Sequence, residues 1–138
     1  MPRLFNKIYG TITEKFKEAT GCKGWLIRKA LETKMENYKA GEGVTHKFYD
    51  ALVFNKIKAI LGGNVRLMIT GSAPIAAEVL EFLKICFCAP ICEGYGMTES
   101  AGGSFMTHPD DNQPGIVGGP MFNIKLRLRD IPEMGYLS

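Results

Sequence analysis

The stretch "NVRLMITGSAPIAAEVLEFLKICFCAPICEGYGMTE" (64–99) sets the architecture. "NVRLMIT" (64–70) is short, mostly apolar and rich in strand formers. "GSAP" (71–74) reads as a turn, and Pro74 opens a helix over 75–87. "APICEG" (89–94) reads as a second short buried strand. Strand, turn, helix and strand in about 30 residues make a βαβ unit. Such a crossover returns the chain in the same direction, so both strands end on one edge of the sheet. Ligands of open α/β sheets bind outside that edge. Two loops fall there, "TGSAP" (70–74) and "GYGMTE" (94–99).

Each residue type has a use at such an edge. Gly94 and Gly96 let backbone approach a ligand closely or take positive φ. Tyr95 offers a flat face for a planar base, Thr98 a hydroxyl for a phosphate oxygen, and Glu99 a hard oxygen for Mg²⁺. Together they resemble a nucleotide–Mg²⁺ site. The same letters also fit a tight turn followed by a helix start, with Glu99 matching the dipole. Spacing alone leaves both readings open. Ser72 ahead of Pro74 reads as an N-cap. It lies in no G-x-S-x-G elbow and has no nearby histidine, so serine-hydrolase chemistry is unsupported. There is no G-x-x-x-x-G-K-[ST] loop, and "GEGVTH" (41–46) is not a dinucleotide fingerprint.

Upstream, Leu4, Ile8, Ile12 and Phe16 recur every four residues, with Phe5 and Tyr9 beside them, which predicts a helix over 3–18. Pro2 suits its first turn. "ATGCKG" (19–24) breaks that helix. A second helix fits 24–40, with Leu26, Ile27, Ala30, Leu31, Met35 and Tyr38 along one side and Trp25 in the core. A third fits 50–61: Asp50 is the expected N-cap, Leu52, Val53, Phe54, Ile57, Ile60 and Leu61 form the stripe, and Gly62–Gly63 end it. Downstream, 102–120 is rich in Gly, Pro and Asp and reads as a loop. "IKLRLRD" (124–130) alternates strictly and reads as a strand with one wet face. Helices, then a βαβ unit, then a further strand define an α/β fold.

The totals fit an ordinary globular segment of 138 residues, 46% hydrophobic and 22% charged. Seventeen basic and fourteen acidic residues give a net charge of +3 with no basic stripe, which argues against a nucleic-acid partner. The most apolar region, 79–92, is interrupted by Glu81 and Lys84 and is too short to span a bilayer. The N-terminus lacks the apolar core of a secretory signal. Cys22, Cys86, Cys88 and Cys92 then read as reduced thiols packed in the core, and their spacing suits no zinc site. His46 and His108 have no metal-ligand spacing to another histidine.

The run "VRLMITGSAPIAAEVLEFLKICFCAPICEGYGMTES", followed by "GIVGGP" and "DIPEMGY", resembles the long-chain acyl-CoA synthetases of the adenylate-forming (AMP-binding) superfamily. "PRLFNKIYG" and "DALVFNKIKAILGGNVRLM" resemble the middle region of the same family, so the likeness covers nearly the whole chain. It implies part of the large N-terminal domain of a long-chain fatty acid–CoA ligase. ATP first activates the fatty acid to acyl-AMP, and CoA then displaces AMP. The resemblance implies that Tyr95 stacks on adenine, Thr98 contacts the α-phosphate and Glu99 binds Mg²⁺. It puts Gly71, Ser72, Ala73 and Pro74 at the junction of adenine and acyl pockets. Glu93 and Gly94 form the adjoining wall, and Gly96 and Met97 complete the nucleotide-binding stretch. Catalytic roles fall to Thr98 and Glu99.

The family's Ser/Thr/Gly-rich phosphate loop, its ribose-binding aspartate and its lysine-bearing C-terminal lid have no counterpart in 1–138. The sequence therefore reads as a partial AMP-binding domain, and the isolated chain is expected to be inactive. A truncated relic or an interaction module with weak nucleotide binding is the alternative. The resemblance also implies an intracellular protein, with peripheral association at endoplasmic reticulum, mitochondrial or peroxisomal membranes. The C-terminal "YLS" is not a convincing peroxisomal address.

Overall fold

The computed structural model describes residues 2–122 and 124–137. Helices α1 (Pro2–Glu18) and α2 (Gly21–Lys39) come first. A continuous helical stretch follows: α3 (Lys47–Tyr49), a π-helical turn (Asp50–Phe54) and α4 (Asn55–Ile60). Then come β1 (Met68–Gly71), α5 (Ala77–Phe87), β2 (Ile91–Met97), β3 (Gly102–Met106) and β4 (Gly119–Pro120).

The βαβ unit forms as expected. β1 and β2 are parallel, with Met68 opposite Ile91 and Gly71 opposite Gly94. The sheet order is β1-β2-β3-β4, and the last two pairings are antiparallel, so the sheet is mixed. α5 supplies the centre of the core through Leu80, Leu83, Ile85, Cys86 and Phe87, all nearly inaccessible. α1 packs on it through Phe5 and Ile12, with Tyr9 and Phe16 both edge-on to Phe82. Leu4 is exposed and Phe5 takes its place. A step of four residues overshoots a full turn by about 40°, so an every-fourth stripe drifts off the packed face.

Several other expectations are corrected. Residues 124–130 belong to no strand, and Leu126 and Leu128 are exposed; alternation cannot make a strand without a paired neighbour. The further strand is instead β3, inside the supposed loop, where "GGSFM" has little strand propensity and pairing with β2 decides. The "GYG" segment is likewise strand, not loop, because β3 pairs with it. β1 begins only at Met68 and α5 only at Ala77, so Pro74 lies in the extended approach to the helix. The N-cap of α5 is Ala76, not Ser72. The third helix starts earlier than expected. His46 is its N-cap, with Nδ1 accepting from the Tyr49 N–H at 3.3 Å. Asp50 serves from inside the helix, its Oδ2 accepting from the His46 N–H at 2.8 Å, in the manner of a capping-box carboxylate.

The apolar surplus of that helix explains a further difference: Phe54 and Ile57 are buried, while Leu52, Ile60 and Leu61 are exposed. Trp25 is 62% exposed rather than in the core. Of the cysteines, Cys86 and Cys92 are buried, Cys88 half-buried and Cys22 exposed, all as free thiols. Burial pushes the thiols of Cys86, Cys88 and Cys92 above their ordinary range. Two lysines lie in the core, Lys34 on α2 and Lys84 on α5. Lys34 Nζ donates to Asp50 Oδ1, to the Ile85 carbonyl at 3.0 Å and to Cys88 Sγ at 3.1 Å, and sits 4.2 Å from the Phe54 ring centroid. Its spacing of four from Ala30 and from Tyr38, and of seven from Ile27, is the signal that marks it as interior. Among the described residues, no helix is long and apolar enough to cross a membrane.

Candidate functional site

The parallel register delivers the 71–74 turn and the 94–98 strand end to one edge. Two open grooves meet there. The first, about 630 Å³, runs from Ile69 to Ser72 across Gly94–Thr98 to Phe105 and Met121. The second, about 340 Å³, lies between Thr70–Pro74, Glu93–Gly96 and the loop carrying Gly115 and Val117. Tyr95 lines both grooves and stands between them, half-exposed, its ring tilted at 6.0 Å from that of its cross-strand partner Phe105.

Glycine is required at two of these positions. A Cβ on Gly96 would come within 2.0 Å of the Gly102 carbonyl oxygen, because the β2–β3 register shifts between Tyr95 and Gly96. A Cβ on Gly71 would come within 2.9 Å of the Gly94 carbonyl oxygen. Ser72 has φ 72°, a left-handed conformation uncommon outside glycine, and it lines both grooves. Strain at a groove-facing turn is a pattern found at functional sites.

The sequence-predicted residues thus largely converge. Gly71, Ser72, Gly94, Tyr95 and Gly96 line both grooves. Ala73, Pro74 and Glu93 line the second, and Met97 and Thr98 the first. Glu99 lines neither. It is exposed on a 3-10 turn (Thr98–Ser100) that closes β2. That turn is held by Ser100, whose Oγ accepts from the Met97 N–H at 3.1 Å and from the Ser104 hydroxyl at 2.8 Å. Among the described residues, no three His, Cys, Asp or Glu side chains cluster to hold a metal. A lone exposed carboxylate fits Mg²⁺ held mainly by ligand phosphates, and does not make a cage of its own.

Glu93 is the buried charged residue of the second groove. Its backbone N–H donates to Thr107 Oγ1 at 2.9 Å, and its Oε1 accepts from the Gly115 N–H at 2.8 Å. Thr70 lies beside it in register, buried, with a hydroxyl that has no hydrogen-bond partner. Sequence reasoning did not reach Gly115, Val117, Phe105 or the Ser100–Ser104 pair. All depend on β3 and its following loop, whose letters carry no strand signal.

The AMP-binding enzyme family matches residues 1–138. The chain is 39% identical over 139 residues to "Long chain acyl-CoA synthetase 3" of Arabidopsis thaliana, an alignment covering 99% of this chain and 21% of that protein. It is 42% identical over 138 residues to "Long chain acyl-CoA synthetase 6, peroxisomal" of the same plant, covering 100% and 20%. It is 36% identical over 137 residues to "Fatty acyl-CoA synthetase A" of Dictyostelium discoideum, covering 99% and 20%. The chain therefore spans about one fifth of the length of these curated relatives. No solved structure gives a significant match.

Proposed function

This chain belongs to the AMP-binding enzymes, and from that premise we propose that it forms part of the catalytic domain of a long-chain fatty acid–CoA ligase. The observation that carries the proposal is Tyr95 standing between two grooves at the C-terminal edge of a parallel strand pair. One groove takes the adenine of ATP against the Tyr95 ring, with Glu93, Gly94 and the Gly71–Pro74 turn as its walls. The polar Thr98 end of the other takes the phosphates.

Chemistry at this edge follows from charge. A fatty acid carboxylate attacks the α-phosphorus of ATP and pyrophosphate leaves. The CoA thiol then attacks the acyl carbonyl of acyl-AMP, and AMP leaves. Thr98 donates its hydroxyl to an α-phosphate oxygen, where negative charge shifts in the transition state. Glu99, with phosphate oxygens, would hold Mg²⁺, which when bound would screen phosphate charge. Long-chain substrates are supported by the names of the two Arabidopsis relatives, and a peroxisomal site by the name of one of them.

The test is ATP-dependent acyl-AMP formation by the full reading frame that carries these residues. Tyr95→Ala should raise KM for ATP, and Glu99→Gln should lower kcat by about a hundredfold, as loss of an electrostatic stabiliser does. Equal activity of Glu99→Gln and wild type across magnesium concentrations would remove Glu99 from the mechanism.

A further inference from the structure

The loop 107–118, "THPDDNQPGIVG", joins β3 to β4 and closes on itself. Thr107 is fixed at its start: its N–H donates to the Glu93 carbonyl at 2.9 Å, and its Oγ1 accepts from the Glu93 N–H. Gly118, with φ 70°, ends the loop so close by that a Cβ there would lie 2.5 Å from Thr107 Cα. Compact loops with touching ends are frequently functional. This one turns its Gly115–Val117 segment to the second groove, and the Gly115 N–H meets Glu93 Oε1 at 2.8 Å.

Two buried side chains lie under the loop. Lys84, only 4% exposed, donates from Nζ to Tyr38 Oη at 3.1 Å and to the Asp111 carbonyl at 3.3 Å. Tyr38 donates from Oη to the Asn112 carbonyl, and Asn112 Nδ2 donates back to the Tyr38 carbonyl, both at 3.4 Å. Asp111 Oδ1 accepts from the Gln113 N–H at 2.9 Å and shapes the turn between them. Among the described residues, no carboxylate stands within ion-pair distance of Lys84; what it meets is a phenol and a loop carbonyl. A buried ammonium is costly where leucine or methionine would fill the space. Its hydrogen bonds to Tyr38 and to the loop offset part of that cost.

We propose that Lys84 and Tyr38 are positioning residues for the second groove: they clasp the loop at Asp111 and Asn112, so that Gly115 reaches Glu93 and Gly115–Val117 stands as a wall of the nucleotide site. The word nucleotide rests on the function proposed above; the clasp itself does not. Neither residue touches the ligand. They act through the loop, and losing either one frees the wall without touching Tyr95, Thr98 or Glu99.

The experiment compares wild type, Lys84→Met and Tyr38→Phe in the full reading frame. Tyr38→Phe keeps the ring and removes only the hydroxyl, so it reports even if Lys84→Met fails to fold. Hydrogen exchange at the peptide holding Gly115 should speed up by about tenfold, while the Glu93 and Thr107 amides stay protected. KM for ATP should rise by about tenfold, with kcat and KM for the fatty acid changed less than about twofold. Unchanged exchange at Gly115 overturns the clasp. So does equal loss of protection at Glu93 and Thr107, which would mark a general structural role. If wild type makes no acyl-AMP, the function proposal fails, and exchange at Gly115 alone then decides the clasp.

Discussion

Gly96 and Gly94 flank the same tyrosine, yet space separates them. A methyl group on Gly96 would run into the Gly102 carbonyl and within 2.8 Å of Gly103 Cα, which are backbone and cannot step aside. On Gly94 it would meet the Phe105 carbonyl oxygen at 3.5 Å, an ordinary contact. Gly96→Ala should therefore cost about 1–3 kcal/mol by overpacking, and Gly94→Ala little. Urea midpoints measure the difference, and equal midpoints would show that the bulge gives way freely. The thiols offer a second residue-scale test. Cys22 is exposed, whereas burial raises the other three thiols and keeps them protonated at neutral pH. Native alkylation should label Cys22 first, the others following on unfolding; rapid labelling of Cys86 would contradict the packing of α5. At this scale the sequence was legible where a side chain lines a groove, as at Tyr95, Thr98 and Glu93. It was not legible at Gly115 or Ser100, whose roles arise from backbone contacts made only after β3 pairs.

Elements are joined here by two buried ammonium groups, and each makes a separate prediction. Lys34 ties α2 to the π-helical turn through Asp50 and to the end of α5 through Ile85 and Cys88. Asp50→Ala strands that ammonium and also releases the His46 N–H, so it should cost about 3–5 kcal/mol. Lys34→Met removes the charge, keeps an apolar stem beside Phe54 and should cost less. The reverse order in urea unfolding would mean that Asp50 is not what holds Lys34. Lys84 and Tyr38 predict an alkaline signature. Burial holds the Tyr38 phenol up at about 12 from an ordinary 10.0, with Glu81 and Asp111 adding to it. The unfolded chain then releases that proton first, so this stability is full below pH 10 and lost as pH rises toward 12. Burial lowers Lys84 from 10.5, against the opposing pull of Cys92, Asp111, Glu93 and Glu81, and its contribution has the other sign: stability rises as pH climbs toward 10.5. Tyr38→Phe should flatten the fall between pH 10 and 12 while leaving the Lys84 rise, and an unchanged fall would assign it to other groups. Helices and the βαβ unit were legible because periodicity encodes burial. The strand expected at 124–130 failed and β3 went unseen for one reason: strands are made by partners, which a local pattern does not contain.

The whole molecule shows a covered side and an uncovered one. α1, α2 and α5 pack into one core, but among the described residues β1 has a strand neighbour on one edge only, and Ile69 on it is 56% exposed. Phe122 is 94% exposed, and Leu126, Leu128 and Leu137 are exposed with it. Isolated large apolar residues at a surface are ordinary, but a strand edge without a neighbour that carries an exposed Ile69 is a template for association. Curated relatives are about five times longer, so chain enough exists in them to cover such surfaces. Residues 1–138 expressed alone should therefore bind a hydrophobic dye, associate with rising concentration and make no acyl-AMP, whereas the full reading frame should do none of the first two and should form acyl-AMP with ATP and a long-chain acid. Size-exclusion chromatography with light scattering reads association, and pyrophosphate release reads chemistry. A monodisperse isolated segment that releases pyrophosphate would overturn both parts together, since it would show that the exposed edge needs no cover and that the site at Tyr95 needs nothing beyond these residues.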